Sequence, residues 1–379
     1  MRVPCVILAL AVLVPACQGS SKSATSQDSI GAVGSDASTA KIDATADAKA
    51  FALEPDPVDL HAMTLLLQAR AASAKASTSI WPSYTLGQVP TYLVRVDAKM
   101  DAVRGWLLGH ATPPKGAFPL QAAQVAGQVL RYDADLGLLK GEDWLEDLPI
   151  AATSTLVLTY DENRLNDPQA WVAMVGEAEM ERVRRVEAKW SVVAGCGQIQ
   201  FPRVPEAIAL LFVDAALLKD AYAEKDHKKA EQLLREWYAV REQAQSVAPT
   251  LPKRNRHYDN QYGSNVYTSH RLLVATGLTT EAQLDALYAQ KLSEPFTVPI
   301  KEFDDTMLAN GWLGAAALSV AIRLGWEVEP FYRKTDSVYW ALPGILGEPP
   351  PSLVEVAKKR YDWAAFQARA EQVMTIKVK

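Results

Sequence analysis

Cysteine is scarce in this chain. Cys5, Cys17 and Cys196 are its only three thiols, and two of them lie in the first 17 residues. A folded part holding one thiol has no internal disulfide, so its stability must come from packing. Histidine is nearly as rare, at 61, 110, 227, 257 and 270. No two of these have the spacing of a shared metal site on a helix. No glycine-rich loop follows a strand-like segment, which leaves nucleotide binding without support. No unit of 20–50 residues recurs, so the chain is not read as a repeat protein. The net charge is −5 and the pI about 5.7, which argues against nucleic acid as a partner. The N-terminal apolar run, 3–16, is fourteen residues long. A helix that spans a bilayer needs about 20.

That run is nevertheless the start of what is present. Arg2 precedes it and small residues close it, the pattern of a secretory signal. It ends at Val14-Pro15-Ala16-Cys17, which resembles the lipobox of bacterial lipoproteins. The resemblance implies cleavage before Cys17, diacylation of its thiol and attachment to the cell-envelope membrane. Two acyl chains hold a protein firmly where one does not. Gln18 stands where an aspartate tends to mean inner-membrane retention, so the outer membrane is favoured. Residues 18–49 contain no aromatic side chain and only Ile30, Val33 and Ile42 as sizeable apolar ones. Such a segment cannot bury enough surface to offset its ordering entropy. It reads as a flexible tether reaching roughly 30 Å. The expected organisation is a signal peptide at 1–16, a lipidated tether at 17–49 and a globular domain at 50–379. A β-rich part is expected at about 78–160 and a helical part at about 165–375.

Within the folded part, "TYLVRVD" at 91–97 and "VRGWLLGH" at 103–110 read as a hairpin, and "STLVLTY" at 154–160 as a strand. Asp167-Pro168 starts a helix, with aspartate as cap and proline in the first turn. Trp171, Val175, Ala178, Arg182, Val186 and Trp190 then step along its inward face. The segment 205–224 is apolar almost all round and reads as a central buried helix. Asp226 caps a further helix to about Gln245, and 248–257 is a loop. Helices follow from about Asn260 to Ala275, from a capping box at Thr280 and Gln283, over 305–325 ending at Gly325, and near the C-terminus. The fold class expected is α+β and predominantly helical, with a small N-terminal antiparallel β portion followed by a helical bundle.

The order of a hairpin near "IWP", the strand "ATSTLVLTY", a long helix and a later "YGSNVY" segment resembles gluzincin-type zinc metallopeptidases. In that family the helix after the edge strand carries H-E-x-x-H, and a later helix supplies a third ligand. Two histidines four apart grip one zinc while the glutamate activates its water. At the corresponding place this chain reads "MVGEAEMERV". Glu177 matches the catalytic glutamate, but the two histidine positions are Gly176 and Met180. Downstream, Gln261 or Tyr262 stands where a glutamate ligand is expected. The resemblance therefore implies a metallopeptidase-like scaffold with its zinc ligands missing, and neither a metal nor another cofactor is assigned. Glu177 and Glu181 share a helix face, but Glu181 also pairs with Arg185 in the favourable orientation. With Glu187 and Lys189 it reads as a solvated charged face.

Other candidates have plainer readings beside them. Cys196 lies in a glycine turn with no base assigned to it. Lys253, Arg254, Arg256 and His257 form a basic loop. Asp304-Asp305 are adjacent and read as charge at a helix start, where a glycosidase needs acids facing each other across a substrate. Tyr258, Tyr262, Tyr267 and His270 are taken as ligand-lining candidates, although His270 also suits a helix residue with a local hydrogen bond. The expected function is a membrane-anchored exported lipoprotein whose peptidase-like domain is non-catalytic and binds a peptide or glycan of the cell envelope, or is structural. A cell-envelope hydrolase with unrecognised catalytic residues and a glycan-binding module remain alternatives.

Overall fold

A computed structural model describes residues 55–76, 80–81, 87, 89–120, 129–134, 143–187, 204–251, 259, 262–303, 311–328, 330 and 338–375. The expected signal and tether with Cys17, the segment with Lys189, Trp190 and Cys196, the basic loop, Tyr258, Gln261 and Asp304-Asp305 lie outside the described residues.

Two strands dominated by β-branched and large apolar side chains, β1 (Thr91–Val96) and β6 (Thr153–Tyr160), lie side by side in the sheet. Around them are β2 (Ala102–Leu108), β3 (Phe118–Pro119), β4 (Val129–Arg131) and β5 (Trp144–Ile150), in the order β3-β4-β2-β1-β6-β5. The expected β1–β2 hairpin is present, with Leu93 opposite Trp106. The sheet is not wholly antiparallel, however: β1 and β6 run parallel, with Leu93 beside Leu158. These two strands are buried on both faces, the setting in which parallel pairs occur. Leu93, Leu156, Leu158, Trp106 and Leu108 pack toward the helices. Tyr92, Val94, Val157, Leu107 and Leu130 form a second apolar layer with Tyr132 and Ile150.

The most distant departure from expectation precedes the sheet. Pro57–Lys75 is a 19-residue helix, α1, capped by Asp56, whose Oδ1 accepts from Val58 N–H at 2.8 Å. After β6 come α2 (Glu162–Leu165) and α3 (Pro168–Arg182). Asp167 caps α3 by accepting from Ala170 N–H at 3.0 Å, and a π-helical turn, Val183–Glu187, prolongs it. Then follow α4 (Pro205–Ala223), α5 (His227–Val247, capped by Asp226), α6 (Gly263–Ala275) and α7 (Glu281–Lys291), the last with the expected capping box. The remainder is α8 (Glu294–Thr297), α9 (Gly311–Arg323), α10 (Val338–Leu346), α11 (Ser352–Arg360) and α12 (Trp363–Met374). Gly325 follows α9 with φ +79°, a conformation that costs glycine nothing.

Helix α4 is central, packing on α5, α9 and α12. Its Phe212 meets the rings of Phe296, Phe303 and Phe366. Each fully buried side chain of this size contributes about 1.5–3 kcal/mol, so the helical half has an ample core without any disulfide. Helix α3 lies against β5, β6, α1 and α6. Among the described residues no helix is long and apolar enough to cross a membrane.

Candidate functional site

The seam between α3 and α6 is where the motif of the resembled family would fall. The two helices cross in opposite directions, with Gly176 against Ser269 and Glu181 against Asn265. The approach at Gly176 is as close as backbones allow. A Cβ built there would stand 2.8 Å from Ser269 Cα and 3.3 Å from Ser269 N. Glycine is required because the helix backbones occupy the space a side chain would need. Met180 is fully buried. The two positions at which zinc-binding imidazoles are expected are thus a van der Waals contact and a piece of core.

Glu181 is not on a solvated face. It is buried, and its carboxylate is held from three sides. Arg184 Nη1 donates to Oε2 at 2.6 Å, Asn265 Nδ2 donates to the same oxygen at 3.1 Å, and Arg185 Nε lies 2.5 Å from Oε1. Arg185 is the partner that the i,i+4 spacing predicts. Arg184, wholly buried, is an additional one, and Arg185 also reaches Glu146 at 3.5 Å. A buried carboxylate needs such pairing to stay in the interior. Among the described residues, Asn265 leaves its Oδ1 buried and without a hydrogen-bond partner.

Glu177, one turn before Glu181, differs. It is half-buried and makes no hydrogen bond or ion pair among the described residues. Burial, with the Glu181 charge adding to it, pushes its carboxyl up to about 7. A carboxyl so placed holds a proton near neutrality, the property of a general acid or base. Glu179, on the opposite side of the helix, is buried and accepts from Gly87 N–H at 3.0 Å.

The aromatic candidates do not gather at this seam. Tyr262 is half-buried just ahead of α6 and packs against Gly311 of α9. Tyr267 is buried, edge-on to Trp81 at 6.3 Å. His270 is buried beneath Trp312, with ring centroids 4.5 Å apart, and its Nδ1 lies 3.2 Å from the Tyr288 hydroxyl. Burial drives its pKa down to about 3, so it is a neutral core histidine. Tyr267 and His270 are therefore buried side chains, each about 5% exposed, that pack in the core.

The donor set does not fit a zinc ion. Glu181 spends both oxygens on arginines and an amide, Gly176 offers nothing, and a buried thioether is a poor ligand beside imidazole. Among the described residues no three His, Cys, Asp or Glu side chains converge as a metal site. A cavity of about 410 Å³ lies elsewhere, lined by Asp56, Arg95, Val96, Asp97, Val103 and Arg104. Its arginines are committed, Arg95 to Asp56 at 2.9 Å and Arg104 to the buried Asp59 at 2.7 Å.

Sequence reasoning misses Asn265 and Arg184. Each is a polar residue on the buried stripe of its helix, and a polar side chain interrupting such a stripe is the signal that marks it. No protein-family model, curated protein or solved structure matches the chain.

Proposed function

We propose that the chain is an exported lipoprotein, held in the cell envelope by acyl chains on Cys17, with the outer membrane favoured. Its folded part is a non-catalytic binding or structural domain on a peptidase-like scaffold, and its ligand is a peptide or glycan of the envelope. The lipobox-like run ending at Cys17 supports the address. The observation that carries the non-catalytic half is the contact of Gly176 with the Ser269 backbone, because it fills the place of a metal ligand with packed main chain.

The test has two arms. Full-length chain produced in a bacterium fed labelled palmitate should incorporate label and fractionate with membranes, and Cys17→Ser should do neither. An unlabelled, soluble wild-type protein would refute the anchor. Purified protein should hold no stoichiometric zinc and should not hydrolyse peptides. Zinc at one per chain with chelator-sensitive hydrolysis would refute the non-catalytic reading.

One observation favours a second reading, a hydrolase. Among the described residues Glu177 has no hydrogen-bond or ion-pair partner, and its proton affinity suits acid–base work at neutral pH. In that case a metal-independent hydrolytic activity would appear in the wild type and vanish in Glu177→Gln while the fold is retained.

A further inference from the structure

Away from the α3–α6 seam, a second charged cluster is built into the helical core. Asp214 of α4, Arg241 of α5 and Asp259, just ahead of α6, are all buried. Arg241 Nη2 donates to Asp214 Oδ2 at 2.7 Å, and Arg241 Nη1 donates to Asp259 Oδ2. The guanidinium also lies over the Trp237 ring at 4.5 Å and near that of Tyr339 at 5.6 Å. Two carboxylates thus share one cation. Among the described residues, Asp214 Oδ1 and Arg241 Nε are buried with no hydrogen-bond partner.

Charge counting decides what this cluster can do. With both carboxylates ionised it holds a net negative charge in the interior, which is costly unless neutralised. Among the described residues nothing else neutralises it. Helix α4 contributes Asp214, and α5 contributes Arg241 and the Trp237 ring. Helix α10 contributes Tyr339, whose hydroxyl hydrogen-bonds Glu242 and Gln245 and which burial keeps neutral. Helix α9 approaches Asp259 through the backbone of Gly314, where a Cβ would fall 2.7 Å from Asp259 Cα. One proton on the pair removes the imbalance.

We propose that the Asp214–Arg241–Asp259 cluster is a proton-operated latch on the start of α6: protonated, it is neutral and fastens Asp259 to α4 and α5; deprotonated, it carries a buried unbalanced charge and releases that segment. The helix so governed carries Asn265 and Ser269, which complete the seam with Glu181 and Gly176. Proton loss would therefore be felt there.

Burial sets the working range. It raises Asp259 to about 6 against the pull of Arg241, with Asp214 adding to the rise, and it raises Asp214 as well. Because the folded value lies above the unfolded one, this stabilisation is complete below about pH 4. It is lost as pH rises through about 6.

Carboxyl NMR and hydrogen exchange of the full chain test the latch. The Asp259 carboxyl should titrate near 6. After correction for intrinsic rates, the opening constant of the α6 amides from Tyr267 to His270 should climb about tenfold per pH unit between about pH 4 and that midpoint. Above the midpoint it should level off, at about a hundredfold over its value below pH 4. Asp259→Asn, which mimics the protonated form, should abolish the climb and keep α6 protected at pH 8. Asp214→Asn leaves one carboxylate for one arginine, so the Asp259 midpoint should fall and the climb should again disappear. An Asp259 midpoint at or below 4, or an equal climb in both variants, would overturn the proposal. Should Asp259→Asn not fold, the wild-type midpoint and Asp214→Asn still decide.

Discussion

Placing a methyl group on Gly176 sets two effects against each other, and the seam geometry says which wins. In an unhindered helix interior, alanine for glycine stabilises by about 1 kcal/mol. At this position the new Cβ would stand 2.8 Å from Ser269 Cα. The atom it meets is main chain, so no rotamer change relieves the contact and α3 and α6 must separate by several tenths of an ångström. Overpacking a filled interior costs about 1–3 kcal/mol. The separation would also lengthen the 3.1 Å bond from Asn265 to Glu181, whose loss adds about 1.5 kcal/mol or more because the acceptor is charged. Gly176→Ala should therefore destabilise the chain by roughly 1–3 kcal/mol in urea unfolding followed by circular dichroism. Ser269→Gly should not rescue it, since the nearest atom is Cα and survives the trimming. Gly176→His, which restores the imidazole of the resembled motif, should cost more than about 3 kcal/mol and create no zinc site. A Gly176→Ala chain more stable than wild type would show the seam to be open, and the case for a filled metal site would fall with it.

Three further outcomes follow from the geometry. Glu181→Ala leaves Arg184 buried with no carboxylate at Nη1 and should cost about 3–5 kcal/mol, whereas Glu231→Ala, in an exposed i,i+4 pair with Arg235, should cost under about 1 kcal/mol in the same unfolding assay. The β5–β6 turn holds Ala151 at φ +49° and Ala152 at φ +64°; replacing the pair by Asn-Gly should stabilise by about 1–2 kcal/mol, and no gain in the urea midpoint would refute the strain. His270 has a folded pKa of about 3, below its unfolded value, so its contribution is complete above about pH 6.5 and falls by about 1.4 kcal/mol per unit as pH drops toward the folded value. His270→Phe should flatten that acid limb in unfolding measured at pH 4.5 and 7, and an unchanged limb would move the cause elsewhere.

Segments whose local chemistry and burial agree are legible in the sequence itself. Asp167-Pro168, Asp226 and the Thr280–Gln283 box each begin a helix where the sequence places it, because a side-chain acceptor beside free N–H groups is a local signal. The same signal, Asp56-Pro57, opens α1. There it is masked, because the low-complexity stretch just before it favours a tether over a helix start. Strand β5 is hidden for a different reason. Its turn is Ala151-Ala152 where a two-residue hairpin normally carries Asn-Gly, and its residues lean half-exposed on β6, so neither a turn signal nor a clean alternation marks it. The parallel pairing of β1 with β6 is a choice among long-range partners, which no local pattern encodes.

At the seam the limit is of another kind. Glu181 and Arg185 at i and i+4 have the spacing of a surface ion pair, and the pair is real. Whether such a pair is bathed in water or sealed in the interior depends on what the opposite helix presents. Asn265 donates to that carboxylate from α6, and Ser269 closes on Gly176 one turn along. Those contacts lie 84 and 93 residues apart in the chain. Sequence spacing supplies the charges; the crossing of α3 and α6 supplies the desolvation that turns a weak pair into one whose loss should be felt by the whole helical half. The same reasoning separates Glu177 from Glu181. Both project from one stripe of α3, yet arginines and an amide have claimed only one of them, and the carboxyl left over is the one whose proton is held near neutrality.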